Sequence, residues 1–89
     1  MEKKHYTYML RCADNTIYSG YAIDIEKRLQ VHNSGKGAKY TRTRLPVELV
    51  YYEKFSTKSE ALRREFEFKK LTRKEKELLI AKQNIDYKR

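Results

Sequence analysis

Two strand-like segments near the amino terminus, separated by a short polar turn, constrain this 89-residue chain most strongly. Residues 5–11 and 17–21 are rich in β-branched and aromatic side chains, and Ala13-Asp14-Asn15 supplies turn-prone residues between them. Strands joined by such a turn pair in antiparallel orientation. Because a chain of this length forms one small domain, the hairpin predicts an antiparallel sheet at its centre.

The segment after the hairpin predicts a helix, a loop and a third strand. Asp24 is a good amino-terminal cap, apolar side chains follow it at helical spacing, and Gly35 ends the helix. Residues 34–45 combine glycines and basic side chains with little apolar content, which predicts a surface loop beside a bound partner. Residues 47–55 predict a third strand, apolar enough for the middle of the sheet.

Two capping boxes predict the last helices. Thr57 is followed three residues later by Glu60, and Thr72 in the same way by Glu75. The side chains of such a pair satisfy each other's free backbone N–H groups and so start a helix. These boxes predict helices over two ranges, 58–70 and 73–82.

The predicted fold is an α/β (α+β) domain over residues 4–82. Its elements follow the order β-β-α-β-α-α, with about three helices flanking a three-stranded antiparallel sheet. Residues 83–89 are polar, and we expect them to fray.

The charge of the chain indicates the kind of partner. The formal charge is +9, from 21 Lys and Arg against 12 Asp and Glu. This excess favours a polyanion, of which nucleic acid is the commonest, and a merely solvated basic surface is the alternative. The eight tyrosines either stack on bases or serve as ordinary strand residues.

Cysteine content and hydropathy indicate the compartment. Cys12 is the only cysteine, which rules out an intramolecular disulfide and a cysteine-based zinc site. No stretch has the apolar length of a membrane span or the apolar core of a signal peptide. We therefore expect a cytoplasmic protein without membrane association.

Two charged residues fall on apolar helix faces. Arg28 shares a stripe with His32 on the first helix, and Glu65 lies at the edge of the apolar face of the second. Burying an unpaired charge costs roughly several kcal/mol, so each of these residues is expected to have either a pairing partner or a functional role. The structural alternative is local pairing, of Arg28 with Asp24 and of Glu65 with Lys69.

Basic and hydrogen-bonding side chains are concentrated in the predicted loop, namely Lys36, Lys39, Tyr40, Thr41, Arg42 and Arg44. Together they are typical of a clamp on a nucleic-acid backbone, because phosphate contacts position a strand without reading its sequence. A solvated loop without a partner is the alternative.

The strand and helix motifs together resemble the GIY-YIG nuclease superfamily over roughly residues 4–80. Tyr8 matches the tyrosine that closes the first signature triplet, although Tyr6 and Thr7 replace its Gly and Ile. Residues 18–20 match the second triplet and keep Gly20, which lets backbone approach closely at the strand end.

Three further positions carry the resemblance. Arg28 matches the catalytic arginine of the superfamily, His32 matches a position held by His or Tyr, and Glu65 matches the metal-binding glutamate. The chain is most similar to small stand-alone bacterial proteins of the YhbQ type, through residues 10–14 and 32–41.

The resemblance implies roles for five residues. Glu65 would hold one Mg²⁺ or Mn²⁺ ion, and Arg28 would bind the scissile phosphate. Tyr18 is expected to be the general base, oriented by Tyr8, with His32 accepting its proton. The alternative interpretation is that both tyrosines pack in the sheet and that the histidine bonds to backbone at the edge of the core.

The resemblance implies a metal-dependent endonuclease that acts on DNA, including branched, flapped or damaged structures. The second hypothesis is a nucleic-acid-binding module that has lost useful turnover. It is favoured because the superfamily's nucleases commonly add a separate DNA-binding domain and we expect none here, so that a separate protein would supply targeting. A protein-binding adaptor is a third class.

Overall fold

A computed structural model describes residues 4–83, and seven elements follow one another in this range. They are β1 (His5–Arg11), β2 (Ile17–Ala22), α1 (Ile25–Asn33), α2 (Lys39–Arg42), β3 (Glu48–Phe55), α3 (Lys58–Lys70) and α4 (Arg73–Gln83). The predicted three strands and three helices are confirmed, with Gln83 ending α4 instead of fraying. The rest of the predicted frayed tail lies outside the described residues.

The short helix α2 corrects the prediction of an uninterrupted loop over residues 34–45. One of its residues, Thr41, is fully buried, so the segment folds back onto the domain instead of lying free on the surface. The only buried residue of α2 is polar, so the sequence has no periodic apolar pattern there from which a helix could be predicted.

The sheet is antiparallel with the order β2-β1-β3. The prediction that the third strand is central was therefore wrong, because β1 pairs with both neighbours and residues 7–10 are all buried. The outer edge of β3 is partly covered by Gln83, whose side-chain amide accepts from the Tyr52 N–H at 3.0 Å and donates to the Tyr52 carbonyl at 2.8 Å. This contact limits edge-to-edge pairing at that position.

The hairpin turn and the helix caps form as the sequence predicts. Asn15 adopts a left-handed backbone (φ 70°) at the turn, where Asp14 accepts from both the N–H and the hydroxyl of Thr16. Asp24 Oδ1 accepts from the Lys27 N–H at 3.1 Å at the start of α1.

Both predicted caps are present at the starts of the last two helices, and the pair at Thr72 forms the full reciprocal box. Thr57 Oγ1 accepts from the Glu60 N–H, and Thr72 and Glu75 exchange two hydrogen bonds.

The two faces of β1 build two apolar clusters. Tyr8 and Leu10 point to the side covered by α1. Met9 points to the opposite side, where it packs with Phe68 of α3 and Leu79 of α4. Within residues 4–83, no helix is both long and apolar enough to cross a membrane.

Candidate active site

The five residues that the sequence singled out come from four elements of the fold. Tyr8 lies in β1, Tyr18 in β2, Arg28 and His32 in α1, and Glu65 in α3. The charges of Arg28 and Glu65 both act on the two tyrosines, because each changes the pKa of Tyr8 and of Tyr18. Arg28 also changes the pKa of His32. The five side chains are therefore close enough for their charges to act on one another.

A buried hydrogen-bonded chain forms the centre of the site. Tyr8 Oη lies 3.0 Å from His32 Nε2, and His32 Nδ1 lies 2.9 Å from Thr41 Oγ1. All three residues are nearly inaccessible to solvent. The prediction that His32 takes its proton from Tyr18 needs correction, because its hydrogen bond goes to Tyr8, while Tyr18 meets the imidazole edge-on with ring centroids 5.5 Å apart.

Two glycines make room for this chain. Gly20 pairs with Tyr8 across the sheet, and a Cβ at Gly20 would stand 2.5 Å from Tyr8 Oη. A Cβ at Gly37 would collide in the same way with the imidazole and the Cα of His32. Only glycine lets the phenol and the imidazole lie this close to neighbouring backbone.

Replacing Gly20 by alanine is expected to displace the Tyr8 phenol and break its bond to His32. Forcing a methyl group into a packed site costs about 1–3 kcal/mol. The cost is measurable as a lower urea midpoint. Ser19→Ala is the matched control, because the Ser19 hydroxyl is buried without a partner among the described residues, so its removal is nearly neutral. Equal stability of the two variants would contradict the close approach at Gly20.

Tyr18 lies beside the hydrogen-bonded chain of Tyr8, His32 and Thr41 and is only half-buried. Its hydroxyl has no hydrogen-bond partner within residues 4–83, and its ring stacks on Tyr40 with centroids 5.9 Å apart and planes inclined by 20°. The phenol oxygen is thus free to meet a water molecule or a phosphate, while the ring is held in place from the side.

Arg28 is exposed, which corrects its predicted place among the core-facing positions of α1. It forms no ion pair in the described part of the chain, and the predicted local partner Asp24 instead caps the helix. Its guanidinium lines an open groove of about 450 Å³ that also contains Lys27 and Tyr21. A fixed positive charge without a protein partner beside a groove is suited to a phosphate.

Glu65 has the local partner that the structural alternative predicted. Lys69 Nζ lies 3.5 Å from Glu65 Oε2, and the carboxylate is otherwise without a hydrogen bond from residues 4–83. No group of three or more His, Cys, Asp or Glu side chains in that range could hold a metal ion. A single carboxylate fits Mg²⁺, which takes one or two carboxylates and completes its shell with waters and phosphate oxygens.

Burial sets the protonation states of the site. Desolvation is the largest cause that raises the pKa of Tyr8, and the neighbouring Tyr18 is the second. The charge of Arg28 opposes this shift. Desolvation also raises the pKa of Tyr18, against the opposing charges of Lys69 and Arg28. Arg28 lowers the pKa of both tyrosines, but burial outweighs its effect.

The pKa of the His32 imidazole shifts in the opposite direction. Burial and then the charge of Arg28 lower the pKa of His32 below its usual range. At neutral pH the site therefore holds two protonated phenols and a neutral imidazole. One ring nitrogen is free to accept a proton.

The predicted phosphate clamp divides into two groups. Lys36, Lys39 and Arg42 are exposed, without ion pairs in the described range, so they are available to a partner. Thr41 is fully buried, so its predicted contact with phosphate was wrong.

Tyr40 and Arg44 already contact each other, with the guanidinium carbon 3.9 Å from the ring centroid. Arg44 also pairs with Asp14 at 2.9 Å. These two residues hold the segment in place and support Tyr18, instead of standing free as clamp residues.

Sequence reasoning missed the roles of Gly37 and Thr41. A glycine followed four residues later by threonine gives no periodic signal, and only the structure shows both against His32. Asn33 was also missed. Its side chain accepts from the Val47 N–H at 2.8 Å and donates to the Val47 carbonyl at 3.0 Å, which ties the end of α1 to the segment that leads into β3.

Comparison with known proteins identifies the family and supports the fold. The GIY-YIG catalytic domain family matches residues 4–78. A UPF0213 protein of Bacillus pumilus is 58% identical over 87 residues, which are 97% of this chain and 89% of that protein. The solution NMR structure of protein EF2693 from E. faecalis is 47% identical with a TM-score of 0.61, and the match covers 100% of this chain and 97% of that one. The NMR structure of the UPF0213 protein BH0048 from Bacillus halodurans is 46% identical with a TM-score of 0.60, over 94% and 89% of the two chains.

Proposed function

Since this chain belongs to the GIY-YIG catalytic domain family, we propose that it hydrolyses phosphodiester bonds of DNA with the help of one divalent metal ion. The observation that supports this proposal best is that the charges of Arg28 and Glu65 both act on Tyr8 and Tyr18, while Tyr8 is hydrogen-bonded to His32. A cation for phosphate, a carboxylate for metal and a neutral proton acceptor are the groups that phosphodiester hydrolysis needs.

Arg28 binds the scissile phosphate in this proposal. Arg28 is exposed, lines an open groove together with Lys27 and Asp24, and forms no ion pair among residues 4–83. A planar fork of N–H donors matches two phosphate oxygens and stabilises the charge that develops on them in the transition state.

Glu65 is the residue that would hold the Mg²⁺ or Mn²⁺ ion. When bound, the ion supplies charge neutralisation for the leaving oxygen. Lys69 contacts the same carboxylate at 3.5 Å and lowers the pKa of the Tyr18 phenol, so its charge acts on both groups.

Tyr8 and His32 take up the proton of the attacking water. Tyr8 is buried in the free protein, so the water enters with the bound substrate. As this water gives its proton to the Tyr8 oxygen, the phenol proton passes to His32 Nε2, and the hydroxide oxygen bonds to phosphorus while the bond to the leaving oxygen breaks. The raised pKa of Tyr8 and the lowered pKa of His32 make a separated phenolate and imidazolium unfavourable, so the transfer is concerted with attack. Tyr18 positions the water or the phosphate with its unpartnered hydroxyl.

The partner surface extends from Arg28 to the exposed basic residues of the α1–α2 segment, Lys36, Lys39 and Arg42. These groups contact phosphates and therefore confer affinity without sequence preference. A separate protein that supplies targeting is consistent with phosphate contacts, which do not read base sequence. A binding module of the same fold without turnover is the second candidate, favoured by the Lys69 contact that occupies Glu65.

Arg28 distinguishes the two functions. Arg28→Ala is expected to slow DNA cleavage by about 100- to 1,000-fold, because a charge that stabilises the transition state is lost. Arg28→Lys keeps the charge but loses the fork, so cleavage falls while fluorescence anisotropy shows DNA affinity near that of the wild type.

Lys74→Ala, an exposed charge loss on α4, is the control and should leave cleavage intact. If the wild type binds DNA in a salt-dependent manner and never cuts it, the binding module is the correct function.

A further inference from the structure

The hydroxyl of Thr41 ends the buried chain that begins at the Tyr8 phenol. Beyond His32, Thr41 Oγ1 lies 2.9 Å from the carbonyl oxygen of Ala38. This hydrogen-bonded chain thus has three contacts, which join Tyr8 to His32, His32 to Thr41 and Thr41 to Ala38. Three protons are available for them, one each on the phenol, the neutral imidazole and the hydroxyl. The directions of the three bonds are therefore coupled.

Only one arrangement uses every proton. If the Thr41 hydroxyl donates to the Ala38 carbonyl, His32 Nδ1–H donates to Thr41 Oγ1 and the Tyr8 hydroxyl donates to the bare Nε2. In the reverse arrangement His32 Nε2–H donates to Tyr8, and the buried Tyr8 proton has no acceptor among the described residues. Leaving a buried donor without a partner is the costly outcome, so the first arrangement is favoured.

We propose that Thr41 is a positioning residue that fixes His32 in the Nδ1–H tautomer, so that Nε2 is bare and receives the Tyr8 proton. The inference rests on the proposed function for its catalytic consequence, while the tautomer itself follows from the contacts. Thr41 does not touch the substrate, because it is fully buried behind the imidazole. It acts as outer partners of histidine do elsewhere, by setting which ring nitrogen is protonated.

The local backbone holds Thr41 in this role. The Ala38 carbonyl accepts from the N–H of Thr41 at 3.1 Å as well as from its hydroxyl, so the short helix α2 aims the hydroxyl along a fixed direction. Gly37 lies against the other side of the imidazole, where any Cβ would collide with Nδ1. The ring is therefore held between Gly37, Thr41 and Tyr8.

The tautomer can be read directly by long-range ¹H–¹⁵N correlation NMR of the ¹⁵N-labelled protein at neutral pH. The chain has two histidines, so a His5→Gln variant assigns the His32 signals. The wild type and Thr41→Ser, which keeps the hydroxyl, should show a protonated Nδ1 and a bare Nε2. Thr41→Val, of nearly equal shape, should shift the population towards Nε2–H. A wild type with protonated Nε2, or a Thr41→Val variant that keeps the pure Nδ1–H form, would overturn the proposal.

Cleavage supplies the second readout. Thr41→Val should cut DNA about ten- to a hundredfold more slowly than the wild type, with unchanged DNA affinity, and Thr41→Ser should restore most of the rate. A Thr41→Val variant that cuts at the wild-type rate would also overturn the proposal. If Thr41→Val does not fold, the wild-type tautomer still decides. If the wild type does not cut at all, the proposed function fails, and the NMR result judges Thr41 on its own.

Discussion

Replacing Glu65 by glutamine is expected to slow metal-dependent cleavage by about three orders of magnitude, which corresponds to ~4 kcal/mol of transition-state stabilisation. The change replaces the carboxylate with a neutral amide of nearly the same shape, so the negative charge that attracts a divalent cation is lost. DNA affinity measured in chelator should not fall, because a basic surface that loses a carboxylate attracts phosphate at least as well. Single-turnover cleavage with excess protein measures the rate, and anisotropy measures the affinity.

Glu67→Gln is the matched control for this prediction. Glu67 lies two residues further on α3, is exposed and pairs with Arg64 instead of facing the site. This variant should cut DNA like the wild type. Equal losses in both variants, or a Glu65→Gln variant within tenfold of the wild type, would remove Glu65 from the metal site.

Replacing Phe68 by alanine is expected to destabilise the domain by about 3–5 kcal/mol, since the change leaves a large cavity in the core. Phe68 is 0% exposed and lies between Met9 and Tyr51, whose ring centroid is 5.8 Å away. Domains of this size are stable by only about 5–15 kcal/mol, so the variant loses much of its folding free energy. Urea unfolding followed by circular dichroism measures the change in midpoint.

Phe66→Ala makes the same chemical change on the same helix. Its ring is 61% exposed and contacts the ammonium group of Lys70 at 4.3 Å. We expect a change within about 0.5 kcal/mol, as for other exposed positions. A Phe68→Ala variant as stable as Phe66→Ala would contradict the assignment of Phe68 to the core.

The elements that the sequence predicts well are those with local causes. The capping boxes at Thr57 and Thr72 place two helix starts correctly, because each box satisfies the free N–H groups of its own first turn. The turn at Asn15 likewise depends on residues next to it in the chain. Such signals lie within a few residues of one another, and so they can be read from the chain alone.

Properties that depend on contacts between distant segments were harder to predict. The third strand is apolar enough for a central position, yet β1 is central because it pairs on both sides. Arg28 shares a helix face with His32 by spacing, but the structure buries His32 and leaves Arg28 exposed. Thr41 was assigned to the surface because its neighbours are basic.

The candidate site shows the same division. The resemblance to the family identified the five residues, but not which tyrosine bonds to His32. That choice depends on the pairing of Tyr8 with Gly20 across two strands, which lets the phenol reach the imidazole. The tautomer depends in turn on Thr41, which is nine residues away in sequence.

The central claim is that this site cuts DNA in a metal-dependent reaction. Its most direct test is single-turnover cleavage by the wild-type protein of labelled single-stranded, duplex, flap and four-way DNA, with Mg²⁺ or Mn²⁺ and in parallel with chelator. We predict cleavage of at least one of these substrates that requires the metal ion and stops in chelator. Binding to all four substrates without cleavage of any, or cleavage that chelator leaves unchanged, would contradict the claim.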